Sequence, residues 1–195
     1  LTCQLRKKRY RSYKGSVGKI APNLLNRDFK ATQPNQKWAT DVTEFKVLGK
    51  RFYLSPILDL FNGEVVSYSL TGSPSFAGTI EMLEKAFYCL PEKVNLILHS
   101  DQGWQYQMKQ YQGLLAERGI QQSMSRKGNC YDNAVIENFF GLLKSEFFDN
   151  RTFQTESAFQ KELIEYLDYY NNDRIKVKLN GLSPVAYRTQ SLCFT

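Results

Sequence analysis

Residues 94–106 read VNLILHSDQGWQY, and the fold turns on how this stretch is understood. Val94 to Leu98 is a short apolar run bounded by turn-forming residues, the pattern of a buried strand. The strand delivers His99, Ser100 and Asp101 at its tip, and Gly103 is expected to let the chain turn sharply. A carboxylate placed at the end of a rigid buried strand is a candidate for chemistry that depends on positioning.

Upstream, KWATDVTEFKV (37–47) is rich in β-branched and aromatic residues and reads as a strand. RFYLSPILDL (51–60) reads as a second, with Pro56 suggesting an edge or a bulge. Asn62-Gly63 is a hairpin signal, and GEVVSYSL (63–70) reads as a third strand of an antiparallel meander. Helical spacing follows over 76–90, with Ser73 or Ser75 as cap and Pro91 as terminator. A crossover then leads into the 94–98 strand, which implies a parallel neighbour.

Downstream, the pattern predicts a helix over 105–118 closed by Gly119, a short strand over 120–123 and a polar loop over 125–132. Residues 133–148, NAVIENFFGLLKSEFF, form the most legible helix. Val135, Ile136, Phe139, Phe140, Leu142, Leu143 and Phe147 make its apolar wall. Glu137, Gly141 and Lys144 share the opposite face. A last helix is expected over 156–171, followed by a polar, punctuated tail.

The chain has 195 residues, 42% of them hydrophobic, enough for one domain with its own core. It contains no apolar run of about 18 residues and no secretory leader pattern, so no membrane partner is expected. The four cysteines (Cys3, Cys89, Cys130, Cys193) lack C-x-x-C spacing and accompany a single histidine, which argues against zinc and suits a reducing, cytoplasmic setting. Net charge is +7, concentrated at the start: residues 1–30 hold nine Lys/Arg and one acid, while the remainder holds 17 basic and 18 acidic residues. Arg6, Lys7, Lys8, Arg9 and Arg11 form an arm suited to DNA phosphates, or else a solvated tail.

Three carboxylates stand out. Taken singly, Asp41 fits a hydrogen-bonded or solvent-facing strand residue, Asp101 a cap or Asx turn, and Glu137 a surface acid. Together, two Asp on adjacent strands and one Glu on a facing helix can converge at one sheet edge. Three hard oxygen donors without His or Cys suit Mg²⁺ or Mn²⁺. Two such ions can drive phosphoryl transfer.

The motifs WATDVT (38–43), HSDQGWQY (99–106) and SRKGNCYDNAVIENFFGLLK (125–144) resemble the integrase core of bacterial insertion-sequence transposases. Thirty-five residues separate Asp101 from Glu137, the D-D-35-E spacing shared with retroviral integrases. YYNNDR (169–174) and LNGLSPVAYR (179–188) are similar to that family's C-terminal region, so the resemblance spans nearly the whole chain. It implies an α/β, ribonuclease-H-like fold. The sheet would be mixed and five-stranded in order 3-2-1-4-5, its first three strands antiparallel, flanked by helices. It also implies that Asp41, Asp101 and Glu137 are catalytic and bind two divalent metals, and that the chain cleaves and joins DNA strands.

Supporting expectations attach to other residues. Lys144, two turns beyond Glu137, and the loop residues Arg126 and Lys127 are placed to meet DNA. His99 would orient a ligand or sit buried and hydrogen-bonded. Asn133 would support the site or cap its helix, and Asn138 would support the site or touch DNA. Trp38 and Trp104 read as packing, and Asp59 as a strand-end acid.

The expected organisation is a basic arm or linker over 1–36, a catalytic core over 37–150, and a C-terminal helix and tail packed on it over 151–195. The chain opens on Leu rather than Met, and the reading expects a DNA-recognition module upstream. Partners are then mobile-element ends and target DNA, with a homo-oligomer assembled on them. No P-loop appears, and no nucleotide cofactor is expected. The rival readings are a catalytically incompetent DNA-binding or regulatory fragment, and a metal-dependent nuclease that hydrolyses without joining.

Overall fold

The structure, a computed structural model, describes residues 18–90, 94–149 and 151–192. A mixed sheet is built from β1 (Lys37–Thr40), β2 (Thr43–Val47), β3 (Lys50–Asp59), β4 (Val65–Thr71), β5 (Ile97–Ser100) and β6 (Gln121–Met124). β1 and β2 both pair antiparallel with β3, β4 lies on the other side of β3, β5 pairs parallel with β1, and β6 parallel with β5. Counting β1 and β2 as one interrupted strand recovers the expected five-strand order.

The interruption has a local cause. Thr40 pairs with Ile57 and Thr43 with Leu54, so one register runs through both halves and sets Asp41 opposite Pro56. The Leu60 amide donates to Lys37. Since strand amides alternate sides, the nitrogen of Pro56 also faces the first strand. Proline has no proton to donate there. The ladder skips a rung at Asp41, and the Pro56 carbonyl instead accepts from Thr40 Oγ1 at 2.9 Å. Pro56 therefore sits inside a central strand, not at an edge. The bulge in this hairpin is on β4, where Ile57 pairs with Ser67 but Leu58 with Val65.

The sheet separates two apolar layers, and alternate residues along a strand enter alternate layers. Trp38 and Ile57 face α1 (Phe76–Phe87) and α2 (Lys109–Glu117), with Met82, Leu83, Ala86, Tyr111 and Leu115. Ala39, Phe45 and Leu58 face α3 (Ala134–Leu143) and α4 (Glu156–Asn172), with Ile136, Phe139, Leu143, Phe159 and Leu163. Ser75 caps α1, its hydroxyl accepting from the Gly78 amide.

Several boundaries differ from the sequence reading. α1 ends at Phe87, ahead of Pro91, which lies outside the described residues. β5 begins only at Ile97, because its partner β1 begins at Lys37 and an unpaired extension has no ladder. The helix expected over 105–118 is a 3-10 turn, Trp104–Gln107, followed by α2. α3 continues into a π-turn over Lys144–Phe148. The tail holds an unforeseen helix, α5 (Pro184–Leu192), begun by Ser183, whose hydroxyl accepts from the Ala186 amide at 3.3 Å. Ser followed by Pro is a helix-start signal. Among the described residues no helix is long and apolar enough to cross a membrane.

Candidate active site

β1 and β5 run parallel with Ala39 beside His99. Two residues further along each, Asp41 and Asp101 leave the ends of adjacent strands side by side. Each is held by its own backbone. Asp41 Oδ1 accepts from the Val42 amide at 2.7 Å, and Asp101 Oδ1 accepts from the Gly103 amide at 2.8 Å. Gly103 has an ordinary φ of −56°, so a sharp turn is not its role. A β-carbon there would stand 2.9 Å from Asp101 Oδ1 and 2.9 Å from Gln105 Nε2, so it would displace the Asp101 carboxylate or the Gln105 side chain.

Asn133 does not cap α3. Its Nδ2 donates to Asp41 Oδ2 at 2.9 Å, which ties the helix start to the strand break. Glu137, in the first turn of α3, remains exposed, and its charge reaches Asp41. Asp41 feels the charges of both other carboxylates. The Asp41 carboxyl is pushed up to about 7 by burial, then by the charges of Asp101 and Glu137, against the hydrogen bonds from Val42 and Asn133. Burial also raises Asp101. Among the described residues, no three carboxylate, His or Cys side chains are drawn together to ligand distance. The pair Asp41–Asp101 is assembled, and Glu137 stands off from it.

His99 is fully buried between two partners: Nδ1 lies 2.8 Å from Ser123 Oγ, and Nε2 lies 2.8 Å from the Asp132 carbonyl. A carbonyl only accepts, so this network assigns the proton to Nε2. Burial holds the imidazole below its usual range. His99 is thus buried and hydrogen-bonded on both ring nitrogens.

Arg126 has an internal partner. Its Nε and Nη2 donate to the two oxygens of Asp132 at 2.7 and 2.8 Å. Lys127 and Asn138 are exposed. Lys144 is half-buried, its Nζ 5.9 Å above the Phe45 ring. Trp38 is fully buried and Trp104 packs beside Phe76, ring centroids 6.3 Å apart. The arm residues Arg6, Lys7, Lys8, Arg9 and Arg11 lie outside the described residues.

Two acids were undervalued or unseen in the sequence. Asp59 is completely buried and pairs with Arg188 of α5, which also meets Glu64 at 2.9 Å. Asp59 is thus the anchor of the C-terminal helix. Asp132 has a fully buried side chain shared by Arg126 and Arg27. Arg126 foremost, with Arg27, holds its carboxyl far below the usual range. Nothing in the linear pattern pairs residues 105 positions apart, and Asp132 reads there as one polar letter in a loop.

Comparison with known proteins agrees with this geometry. A family model described as "Integrase core domain" matches residues 31–130, and a second of the same description matches residues 137–192. A putative transposase, InsK, for insertion sequence element IS150 of Escherichia coli is 56% identical over 191 residues, covering 98% of this chain and 68% of that protein. A transposase-like protein of Haemophilus influenzae is 58% identical over 184 residues, covering 94% of this chain and 85% of that protein. Among solved structures, the HTLV-2 integrase catalytic core domain in complex with magnesium has a TM-score of 0.60 at 20% identity, covering 81% of this chain and 99% of that one. A chain in the structure of the simian T-cell lymphotropic virus intasome in complex with PP2A regulatory subunit B56 gamma has a TM-score of 0.59 at 21% identity, covering 86% of this chain and 56% of that one. At that identity these structures speak for the ribonuclease-H-like fold alone. The family matches and close relatives make the broader statement: this chain belongs to the integrase-core transposases of bacterial insertion sequences, and it is their catalytic core.

Proposed function

We propose that the chain carries out metal-dependent cleavage and joining of DNA strands at the ends of an insertion sequence, with Asp41, Asp101 and Glu137 as the catalytic carboxylates. The observation that carries this reading is the β1–β5 register, which leaves Asp41 and Asp101 side by side at the ends of two neighbouring interior strands, with α3 tied to Asp41 through Asn133.

The residues present fit divalent cations. The donors are hard oxygens, and the half-buried Asp41 and Asp101 form no salt bridge among the described residues. Asn133 Oδ1 is also buried without a donor, an open acceptor beside Asp41. Two Mg²⁺ or Mn²⁺ ions held by the three carboxylates would neutralise the attacking and leaving oxygens of a phosphodiester. The magnesium in the HTLV-2 integrase complex is in keeping with that choice.

The protein's own part is placement. The strand ends fix the two aspartates, and Val42, Gly103 and Asn133 hold individual carboxylate oxygens through hydrogen bonds. Glu137 rides on a helix whose opposite wall is locked in the core, so its approach is a rigid-body matter. Lys144, two turns on, meets a DNA phosphate. Lys127, Arg126 and the arm Arg6–Arg11 add phosphate contacts, with Asn138 beside them. Water is the nucleophile for cleavage and a DNA 3′-hydroxyl for joining. Cleavage hydrolyses one phosphodiester to a 3′-hydroxyl and a 5′-phosphate, and joining forms one phosphodiester as it breaks another, so neither step requires a nucleotide cofactor. In this reading residues 1–36 link to a DNA-recognition module, 37–150 form the core, 151–195 brace it, and copies of the chain assemble on paired ends.

The test supplies pre-cut element ends and target DNA with Mg²⁺ or Mn²⁺. Wild type joins them, and Glu137→Gln, Asp41→Asn and Asp101→Asn each abolish joining in folded protein. A single such variant with near-normal joining refutes the triad. Hydrolysis without joining by the wild type would make the chain a nuclease.

A further inference from the structure

Asp132 and Asn133 form a hub between the segment preceding the sheet and the carboxylate site. The Asp132 carboxylate accepts from Arg27 Nε at 2.9 Å and Asn23 Nδ2 at 3.0 Å, in addition to Arg126. Its carbonyl accepts from His99, which lies two residues before Asp101. His99 leads back through Ser123, whose hydroxyl oxygen accepts from the Leu24 amide at 2.9 Å. Residues 23–27 thus reach Asp132 by two separate routes, one to its carboxylate and one to its carbonyl. The neighbouring residue, Asn133, holds Asp41. The segment itself is tightly constrained. Asn26 and Arg27 both have positive φ, 45° and 67°, conformations that disfavour side-chain-bearing residues and persist only where surroundings enforce them. Leu25 is buried, which pins the turn on the core.

We infer that Asp132 is a positioning residue for the active site and that Arg27 is the clasp through which the segment 23–27 sets it. When the clasp is closed, the start of α3 is held, Asn133 keeps Asp41 in one orientation, and Glu137 faces the aspartates. When it is open, the loop 125–132 is released and the carboxylates lose their common geometry. The chain upstream of the sheet then has a mechanical connection to catalysis, separate from any contact it makes with DNA. This inference rests on the triad reading proposed above.

Arg27 is about half exposed, so replacing it spares the core. The full chain is compared as wild type, Arg27→Gln, Arg27→Lys and Asp132→Asn, with three readouts: Mn²⁺ affinity of the protein alone by electron paramagnetic resonance, affinity for element-end DNA, and joining rate. The expected result for Arg27→Gln is a loss of about tenfold in Mn²⁺ affinity and joining rate, the scale on which ligand-orienting partners act, with DNA affinity unchanged. Arg27→Lys restores part of it, and Asp132→Asn, where it folds, loses more. Unchanged Mn²⁺ affinity and joining in Arg27→Gln overturns the inference. So does a fall in DNA affinity that accounts for the whole rate loss, which would make Arg27 a phosphate contact. A wild type that binds Mn²⁺ but joins no DNA sinks the proposed function, while the Mn²⁺ series still decides the clasp. A wild type that binds no Mn²⁺ overturns both.

Discussion

Asp41→Asn should make the metal-free protein more stable while destroying its activity. Burial and the charges of Asp101 and Glu137 lift the Asp41 carboxyl from an ordinary value near 3.8 to about 7. The folded state therefore takes up a proton more readily than the unfolded chain, and folding is penalised as pH rises from about 4 to about 7. At about 1.4 kcal/mol per tenfold change in proton affinity, the full penalty above pH 7 is at most about 4 kcal/mol. An asparagine escapes it. One of its side-chain atoms must then present N–H where Asp41 accepts from Val42 or Asn133, a loss of about 1 kcal/mol. Partial exposure of Asp41 reduces the gain further. The net expectation is about 1–3 kcal/mol, or about 3–10 °C in melting temperature for a chain of this size. Thermal melts followed by circular dichroism in EDTA would read this as the difference between variant and wild type. That difference should be near zero or reversed at pH 4, grow to pH 7 and level off above. Mg²⁺ at a hundred times its Kd should raise the wild type by about 2.7 kcal/mol and close the gap. A variant no more stable than wild type at pH 8, or a difference independent of pH between 4 and 8, would refute the reasoning.

Gly103→Ala forces a β-carbon to within 2.9 Å of Asp101 Oδ1, and should cut joining at least tenfold while moving the melting temperature by only a few degrees; melting and joining assays on one preparation separate the two effects. Arg188→Met leaves the fully buried Asp59 without its cation and should cost about 3–5 kcal/mol in urea unfolding, with Arg188→Met plus Asp59→Asn recovering part of the loss. Phe159→Ala, in the aromatic cluster that seats α4 on β2 and β3, should cost about 3–5 kcal/mol in the same assay. Replacing Arg6, Lys7, Lys8, Arg9 and Arg11 by Gln should weaken DNA binding and lower the slope of log affinity against log salt by up to about four to five; an unchanged slope would return the arm to a solvated tail.

Much of this molecule was legible from periodicity. Alternating β-branched and aromatic residues marked the antiparallel strands, and the apolar wall of 133–148 marked α3, because both elements bury one face at a fixed repeat. The D-D-35-E spacing singled out Asp41, Asp101 and Glu137, since residues of one motif keep their separation along the chain. What periodicity cannot carry is which distant groups meet. The missing rung at Asp41 comes from Pro56 on the neighbouring strand, so 37–47 read as one strand until the pairing was known. Asn133 read in the sequence as either a support of the site or a helix cap, and only the packing of α3 against β1 turned it toward Asp41. Asp59 and Asp132 were isolated acids in the sequence. Each became a buried anchor because folding brought an arginine from far along the chain, Arg188 or Arg27, to neutralise it. The sequence by itself determined most of the elements, the family and the catalytic candidates, since those depend on local repeats and motif spacing. The tertiary structure alone decided which charges are buried and paired, because a buried charge is tolerated only where a partner from elsewhere in the chain arrives to meet it.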